Sequence, residues 1–506
     1  MSSAREVDYD ALEATTKIED ITNDEVNQGT LRSLRDDDGD LSYLYICGGE
    51  EAYDHGDYRP KSSEELGWLG HFAKKSAHLE EFGMCERDAF YNNCSQQSID
   101  RFFEDIGKCN RIRKFHFDCI YDDLTEIIRK LDPAIKNNNI THLCLSGCYL
   151  GETDVNHIFN VFRDDMKGLE DLSIQCDDDI GHDLDDDIMA GCIPSLVACA
   201  NVRRLTLTAL NMSNNSCAAL SSVFTQMTAL RELDLANNSI RNDGAEVLVR
   251  GLAECKYLHS VSICRNRISD DGLKVLFQGL PTSVNTLFLN SNQITLAQHL
   301  PLLRFKELDL SGNTLSSDGP RVIAASLADP ECRLEALYLN DANIVDEEAT
   351  VLASSLWNNQ RLTCLSLEMN GITYRGWNVF SSVLCDTKSI NATHGSNHAL
   401  QRLGYLLSSN VPKDVETLLY LNRGQDKNLV AATKILQTHR HLDMRALFDA
   451  KLLLLPHVVA WLERFAESQL DLKLSSIYEF ARAMPMEVVD GVAGEKKGKK
   501  RMHSSA

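Results

Sequence analysis

The feature that most constrains this chain is a recurring frame. Its clearest copy is LRELDLANNSI, in which Leu230, Leu233, Leu235, Asn238 and Ile240 fit L-x-x-L-x-L-x-x-N-x-L. The same frame starts at Leu41, Leu79, Ile112, Ile140, Leu169, Val202, Leu230, Leu258, Val284, Phe305, Leu334, Leu362 and, in decayed form, Ile390. Thirteen starts are separated by twelve intervals, so the mean spacing is (390 − 41)/12, about 29 residues. Length alone, 506 residues, would suggest about three domains. A repeat of this period instead predicts stacked units that share one continuous core.

Each unit reads as a strand followed by a helix. The alternation of Leu233 and Leu235 marks a short strand, and Ala245, Leu248, Val249 and Leu252 fall at helical spacing. Asn238, Asn266, Asn292, Asn313 and Asn370 share one frame position, where a buried amide can satisfy the backbone as the chain leaves each strand. Cys148 takes that position in its own unit, while Asp177, Leu210, Ala342 and His398 depart from it and predict irregular turns. Asp243, Asp271 and Asp318 each precede a Gly and an apolar helix, a pattern expected to cap helix N-termini.

With its strand, its Asn and its 28–29-residue helix-bearing period, the chain resembles the leucine-rich repeat family, specifically the long-repeat subtype of ribonuclease inhibitor. The resemblance runs from Leu41 to about Leu400, roughly 70% of the chain. It implies an α/β leucine-rich repeat solenoid, a horseshoe with parallel strands on the concave face and helices on the convex face, closed by an all-helical C-terminal cap. The expected organisation is a mobile acidic leader over 1–40 with room for one short helix, the array over 41–400, the cap over 401–488 and a basic disordered tail over 489–506. Apolar residues at helical spacing in DVETLLYLNRG and KNLVAATKILQTHR support the cap, which a solenoid needs to cover its last core layer. The interval from Val284 to Phe305 is only 21 residues, too short for a full helix, and predicts a narrow outer layer there. An insertion between Leu169 and Val202 holds CDDDIGHDLDDD, from Cys176 to Asp187.

Charge and cysteine usage then narrow the function. With 51 Lys+Arg against 74 Asp+Glu the formal charge is −23, which argues against broad nucleic-acid binding because phosphate contacts need surplus cations. The N-terminus has no apolar core of a secretory signal, and the most apolar run, Leu452 to Leu462, is interrupted by Pro456 and His457 and is about half the ~20 residues of a membrane span. Sixteen Cys in 506 residues fit reduced thiols in a cytoplasmic protein better than a disulfide scaffold. The tail Lys496, Lys497, Lys499, Lys500 and Arg501 leaves nuclear entry open.

No phosphate loop, H-E-x-x-H, G-x-S-x-G elbow, kinase signature or C-x-x-C pair occurs, so catalytic residues, cofactor-binding residues and metal ligands are all expected to be none. The acidic insertion does not match a calcium-loop frame and reads as a solvated loop. What remains is a surface. At the centre of each strand the series runs His116, Cys144, Ser173, Thr206, Asp234, Ser262, Phe288, Asp309, Tyr338, Ser366 and His394. Phe288 and Tyr338 stand out as large aromatics flanking Asp309, and Glu232, Glu307, Asp341 and Glu368 lie nearby in the frame.

An aromatic anchor ringed by acids suits a protein partner that presents Lys or Arg beside an apolar residue. The bland alternative is that the aromatics shield the compressed repeat and the acids keep a long surface soluble. The expected function is a non-enzymatic interaction module or adaptor. The competing expectations are a GTPase-activating regulator, by analogy with the repeat arrays of Ran GTPase activators, and a structural scaffold. The strongly acidic C-terminal stretch typical of those activators is replaced here by KKGKKR, which counts against the analogy.

Overall fold

The computed structural model describes residues 7–47, 55–85, 93–121, 124–176, 183–297, 302, 304–404 and 411–439. The chain divides into two compact units, residues 1–298 with 304–314, and residues 299–303 with 315–506.

In the first unit eleven strands form one parallel sheet: β1 (Tyr43–Cys47), β2 (Asp57–Tyr58), β3 (Glu81–Cys85), β4 (Lys114–Asp118), β5 (His142–Cys148), β6 (Asp171–Cys176), β7 (Arg204–Thr208), β8 (Glu232–Asp234), β9 (Ser260–Ser262), β10 (Thr286–Phe288) and β11 (Glu307–Asp309). β2 lies outside β1, and from β1 and β3 onward the order follows the sequence. In the second unit β12 (Ala336–Tyr338) and β13 (Cys364–Ser366) pair in parallel, with Tyr338 opposite Ser366. Every frame start from Leu41 to Leu362 sits two residues before a strand. The repeat is therefore the fold, because lateral pairing places one anchor on the next: Leu205 faces Leu233, Leu233 faces Val261, Leu287 faces Val261 and Leu308. These anchors are almost wholly buried, each contributing about 1.5–3 kcal/mol of hydrophobic free energy.

The helices between strands cover the other side of the anchors. Asn242–Leu252, for example, buries Ala245, Leu248, Val249 and Leu252, the residues its spacing picks out. Leaving each strand, the chain passes through a left-handed residue just before the ladder position: Asn237, Arg265, Ser291, Gly312 and Met369 all have φ between 49° and 66°. The following Asn holds that turn. Asn238 Oδ1 accepts from the Leu210 and Met212 amides, and its Nδ2 donates to the Leu207 and Leu235 carbonyls.

The turns at Leu210 and Ala342, expected to be irregular, are so in one respect: each has a second left-handed residue directly after the ladder position, Asn211 (φ 52°) and Asn343 (φ 59°). Ala209 and Asp341 are left-handed there, and the Asn of the next repeat, Asn238 or Asn370, bonds the Leu210 and Ala342 amides. Cys148 fills the ladder position as expected, its Sγ donating to the Phe117 and Ser146 carbonyls at 3.5 Å.

Helix capping differs from expectation. Asp243 and Asp271 lie in first turns and Asp318 is an N-cap residue, but none of the three side chains caps its helix. In other repeats a carboxylate of the preceding unit bonds the amides that follow the ladder turn, at helix starts Asn214 and Tyr374 and at the helix-free segment after Ile294. Asp186 accepts from the Ser213, Asn215 and Ser216 amides, Asp270 from the Thr295, Leu296 and Ala297 amides, and Asp346 from the Thr373 and Gly376 amides. A first-turn carboxylate thus reaches sideways to the free N–H groups of the next unit.

Between β10 and β11 the described residues contain no helix, as the short interval predicts. Arg304 fills the gap: its guanidinium donates to the Phe277 and Leu280 carbonyls at 2.7 and 2.6 Å and to that of Pro281, closing the end of helix Asp270–Gly279.

The acidic leader is ordered over most of its length, a correction to the mobile segment expected at 1–40. Helices Tyr9–Glu13, Ile18–Ile21 and Glu25–Arg35 bury Tyr9, Ile18, Ile21, Leu31 and Leu34. Helix Glu25–Arg35 carries its apolar residues on one face, and Asn27 exchanges two hydrogen bonds with the Arg59 backbone, which joins it to the first repeat. The Tyr9 hydroxyl end fits against Gly67, where a Cβ would come within 1.8 Å of it.

The decayed frame at Ile390 is likewise not a strand. Ile390–His394 is a short helix, and the backbone that follows β13 in the ladder is at Arg402, bridged to Cys364. Beyond it, helices Lys413–Leu421 and Lys427–Thr438 fall in the expected cap. Residues 440–506, including the basic tail, lie outside the described residues, as do Asp177–Asp179 and the rest of 177–182 in the acidic insertion.

Candidate partner-binding face

Period-two alternation leaves the residues between buried anchors on the open face of each sheet. In the first unit, register aligns Thr206, Asp234, Ser262, Phe288 and Asp309 side by side across β7 to β11. One residue pair back, Glu232, Ser260, Thr286 and Glu307 form a second row. Five of the eight candidate residues, Glu232, Asp234, Phe288, Glu307 and Asp309, therefore share one face. Phe288 is half-buried between Ser262 and Asp309, and Glu232 is exposed.

The acids are held in place by short-range bonds. Asp234 accepts from the Ala236 amide at 3.0 Å and Asp309 from the Ser311 amide at 2.8 Å. Burial raises the Asp309 carboxyl above its ordinary range, and the bonds from Ser311 only partly oppose that. Glu232 Oε1 lies 3.6 Å from His259 Nε2 on the neighbouring repeat.

The other three candidates, Tyr338, Asp341 and Glu368, belong to the second unit. Tyr338 is half-buried at the centre of β12. Asp341 is exposed, but it is the left-handed residue of its turn (φ 49°), so its position is set by the backbone. Glu368 packs against Gly404, where a Cβ would come within 2.8 Å of its Oε1, and its amide bonds Asn340 Oδ1 at 2.8 Å. His394, placed at a strand centre by the frame, sits in the short helix instead.

Sequence reasoning started the face at His116 and missed its beginning. Tyr45 and Gly83 occupy the same central row on β1 and β3, opposite each other and next to His116. The Tyr45 hydroxyl donates to Asp118 Oδ2, which is also 3.0 Å from His116 Nε2. A tyrosine four residues after Leu41 was the available signal, since that is the central position in every copy of the frame. The second unit also exposes Met369 and Tyr374, at 81% and 64%.

One cluster of potential metal-ligating groups lies off this face. Asp10, Glu13 and His71 converge, but the Lys75 ammonium is among them, 2.9 Å from Asp10, 2.6 Å from Glu13 and 3.1 Å from His71 Nε2. A resident cation of the chain's own makes this a clasp between the N-terminal helix and helix Ser63–Ala73. All sixteen cysteines are free. No helix among the described residues is long and apolar enough to cross a membrane.

Parallel strands, an Asn-held left-handed turn and a returning helix, repeated in register, define a leucine-rich repeat protein. A family model described as Leucine Rich repeat matches residues 226–249. The chain is 28% identical over 248 residues to the ribonuclease inhibitor of Sus scrofa, covering 47% of each. It is 28% identical over 259 residues to NACHT, LRR and PYD domains-containing protein 5 of Bos taurus, covering 50% of this chain and 18% of that one. Against NACHT, LRR and PYD domains-containing protein 14 of Mus musculus it is 31% identical over 212 residues, 40% and 18% respectively. Within the leucine-rich repeat class this chain is of the ribonuclease-inhibitor-like type. It spans less than half the length of each of these relatives.

Proposed function

We propose that the protein is a non-enzymatic adaptor that recognises another protein through the open face of its sheet. The observation that carries this reading is the aligned row Asp234, Ser262, Phe288 and Asp309, an aromatic side chain between small and acidic neighbours on adjacent strands. A partner presenting Lys or Arg next to an apolar residue would seat the apolar group on Phe288 and its cation against the carboxylates. Strands fixed by stacked anchors present that row with little loss of conformational freedom on binding. One relative is named a ribonuclease inhibitor, which supports a protein as the ligand. In the second unit Tyr338, with Asp341 and Glu368, offers the same combination of residue types.

The test is crosslinked affinity capture with the full chain. Phe288→Ala with Tyr338→Ala should keep the melting temperature and lose a partner that the wild type retains. The charge-reversed set Asp234→Lys, Asp309→Lys and Glu368→Lys should lose it as well. A partner retained by both variants removes recognition from this face, and a large drop in melting temperature for the alanine pair assigns the aromatics to shielding.

A further inference from the structure

The turns that leave β8, β9 and β10 enclose a cleft of about 500 Å³, lined by Arg241, Asn242, Asp243, Arg267, Ser269 and Gln293. Its size is that of a cleft for a small group, but every lining residue is polar, so apolar burial is not what it offers. Two of the six are locked to each other. Asn242 Nδ2 donates to Ser269 Oγ at 2.7 Å, and the Ser269 amide donates to Asn242 Oδ1 at 3.0 Å. A backbone bridge from Ser269 to Gln293 ties this pair to the next repeat.

The other side chains are left open. Arg241, Arg267 and Gln293 are exposed, and among the described residues their side chains make no hydrogen bond or ion pair. With 74 acidic residues against 51 basic ones, arginines elsewhere find carboxylates readily: Arg32 bonds Glu19, Arg163 bonds Asp164, and Arg250, on the helix that begins at Asn242, bonds Glu246. Asp243 lines the same cleft yet pairs with neither guanidinium. The lining therefore carries two positive charges and one negative, 2 − 1 = +1. Each guanidinium is a planar fork of N–H donors that matches a carboxylate two bonds at a time.

We propose that this cleft takes an aspartate or glutamate side chain of a protein partner, its carboxylate bound by the Arg241 and Arg267 guanidiniums and its neighbouring backbone N–H groups accepted by Asp243 and Gln293 Oε1. One carboxylate brings the lining to neutrality. A phosphate, at about −2, would overshoot it beside Asp243, in a chain whose formal charge is already −23. Gln293 is five residues beyond Phe288, a span of at most about 17 Å, so the cleft adjoins the face proposed above without depending on it.

Arginine labelling of the full-length chain with p-hydroxyphenylglyoxal, read by mass spectrometry, tests the site. At saturation and matched ionic strength, the peptide acetyl-Gly-Gly-Glu-Gly-Gly-amide should slow modification of both Arg241 and Arg267 by about fivefold, and its glutamine counterpart should not. Arg231, exposed and also without an ion pair among the described residues, should react at an unchanged rate. The phosphoserine counterpart should protect less than the glutamate peptide in the wild type and more in Asp243→Asn, where the lining charge becomes +2. Arg267→Gln should remove the protection of Arg241. Phe288→Ala should leave all of this intact, so that a failure of the face and a failure of the cleft are told apart. Equal protection of Arg231, or equal protection by the glutamine peptide, would reduce the effect to general attraction and overturn the site, as would no protection at all. Stronger protection by phosphoserine in the wild type would overturn the carboxylate assignment.

Discussion

Asn313 is fully buried, and its amide serves five backbone groups. Oδ1 accepts from Asn292 and Ile294, while Nδ2 donates to the carbonyls of Leu289, Leu310 and Ser311. Alanine would leave several of these without a partner in a dry interior, at about 1–3 kcal/mol each. Asn313→Ala should therefore lower the unfolding free energy by about 3 kcal/mol or more, as a denaturant melt would show. The ladder was legible because it obeys the frame. The lateral caps were not, since Asp186 and its acceptor-seeking amides at Ser213 and Ser216 are 27 and 30 residues apart and no local pattern joins them. At Asp186 burial opposes ionisation, but the bonds from Ser216 and Ser213 prevail and bring its carboxyl down to about 2. Its folded-state value is depressed, so its contribution is complete above about pH 4 and is lost as pH falls towards 2. Asp186→Ala should melt earlier at neutral pH and show a shallower loss of melting temperature between pH 4 and 2 than the wild type.

Elements follow the sequence where the apolar period is regular and depart from it where a polar group closes an end. Twelve strands lie where the frame puts them. At Ile390 the spacing of apolar residues imitated a frame, but Ser389 caps a helix there through the Ala392 amide. The N-terminal helices were hidden by their acids, because Leu31 and Leu34 are a short apolar stripe in a strongly charged segment. In the second unit, helix Lys427–Thr438 is fastened by Lys434. This side chain is wholly buried, and its ammonium donates to the Leu384 and Asn397 carbonyls and to His398 Nδ1. Burial lowers its affinity for the proton to a pKa of about 7. The unfolded chain, with the ordinary value near 10.5, binds more protons between these limits, so the stability of this helix rises with pH across that window. Hydrogen exchange over Lys427–Thr438, corrected for intrinsic rates, should show more protection at pH 9 than at pH 7. Lys434→Met should abolish that difference.

A stacked array distributes its stability between neighbours, and this shapes both what the whole sequence revealed and how the molecule should fail. The class was readable because every repeat says the same thing. The candidate site was only partly so, since the frame assigns each residue to a face but not to a unit: Glu232, Asp234, Phe288, Glu307 and Asp309 share the first, while Tyr338, Asp341 and Glu368 fall in the second. Repeats that touch only adjacent repeats should come apart locally. Leu289 is fully buried behind β10, and an aspartate there would place an unpaired charge among apolar anchors, at a cost of about 4 kcal/mol or more. Leu289→Asp should abolish amide protection in β9, β10 and β11, because their lateral bonds run through that layer. Protection in β4 and β5 should persist, since those strands stack on Phe115, Phe117, Leu143 and Leu145 and draw nothing from Leu289. Leu235→Asp should move the loss to β7, β8 and β9. Uniform loss across the sheet in both variants would mean that the first unit melts as one cooperative body and that the nearest-neighbour account of its stability is wrong.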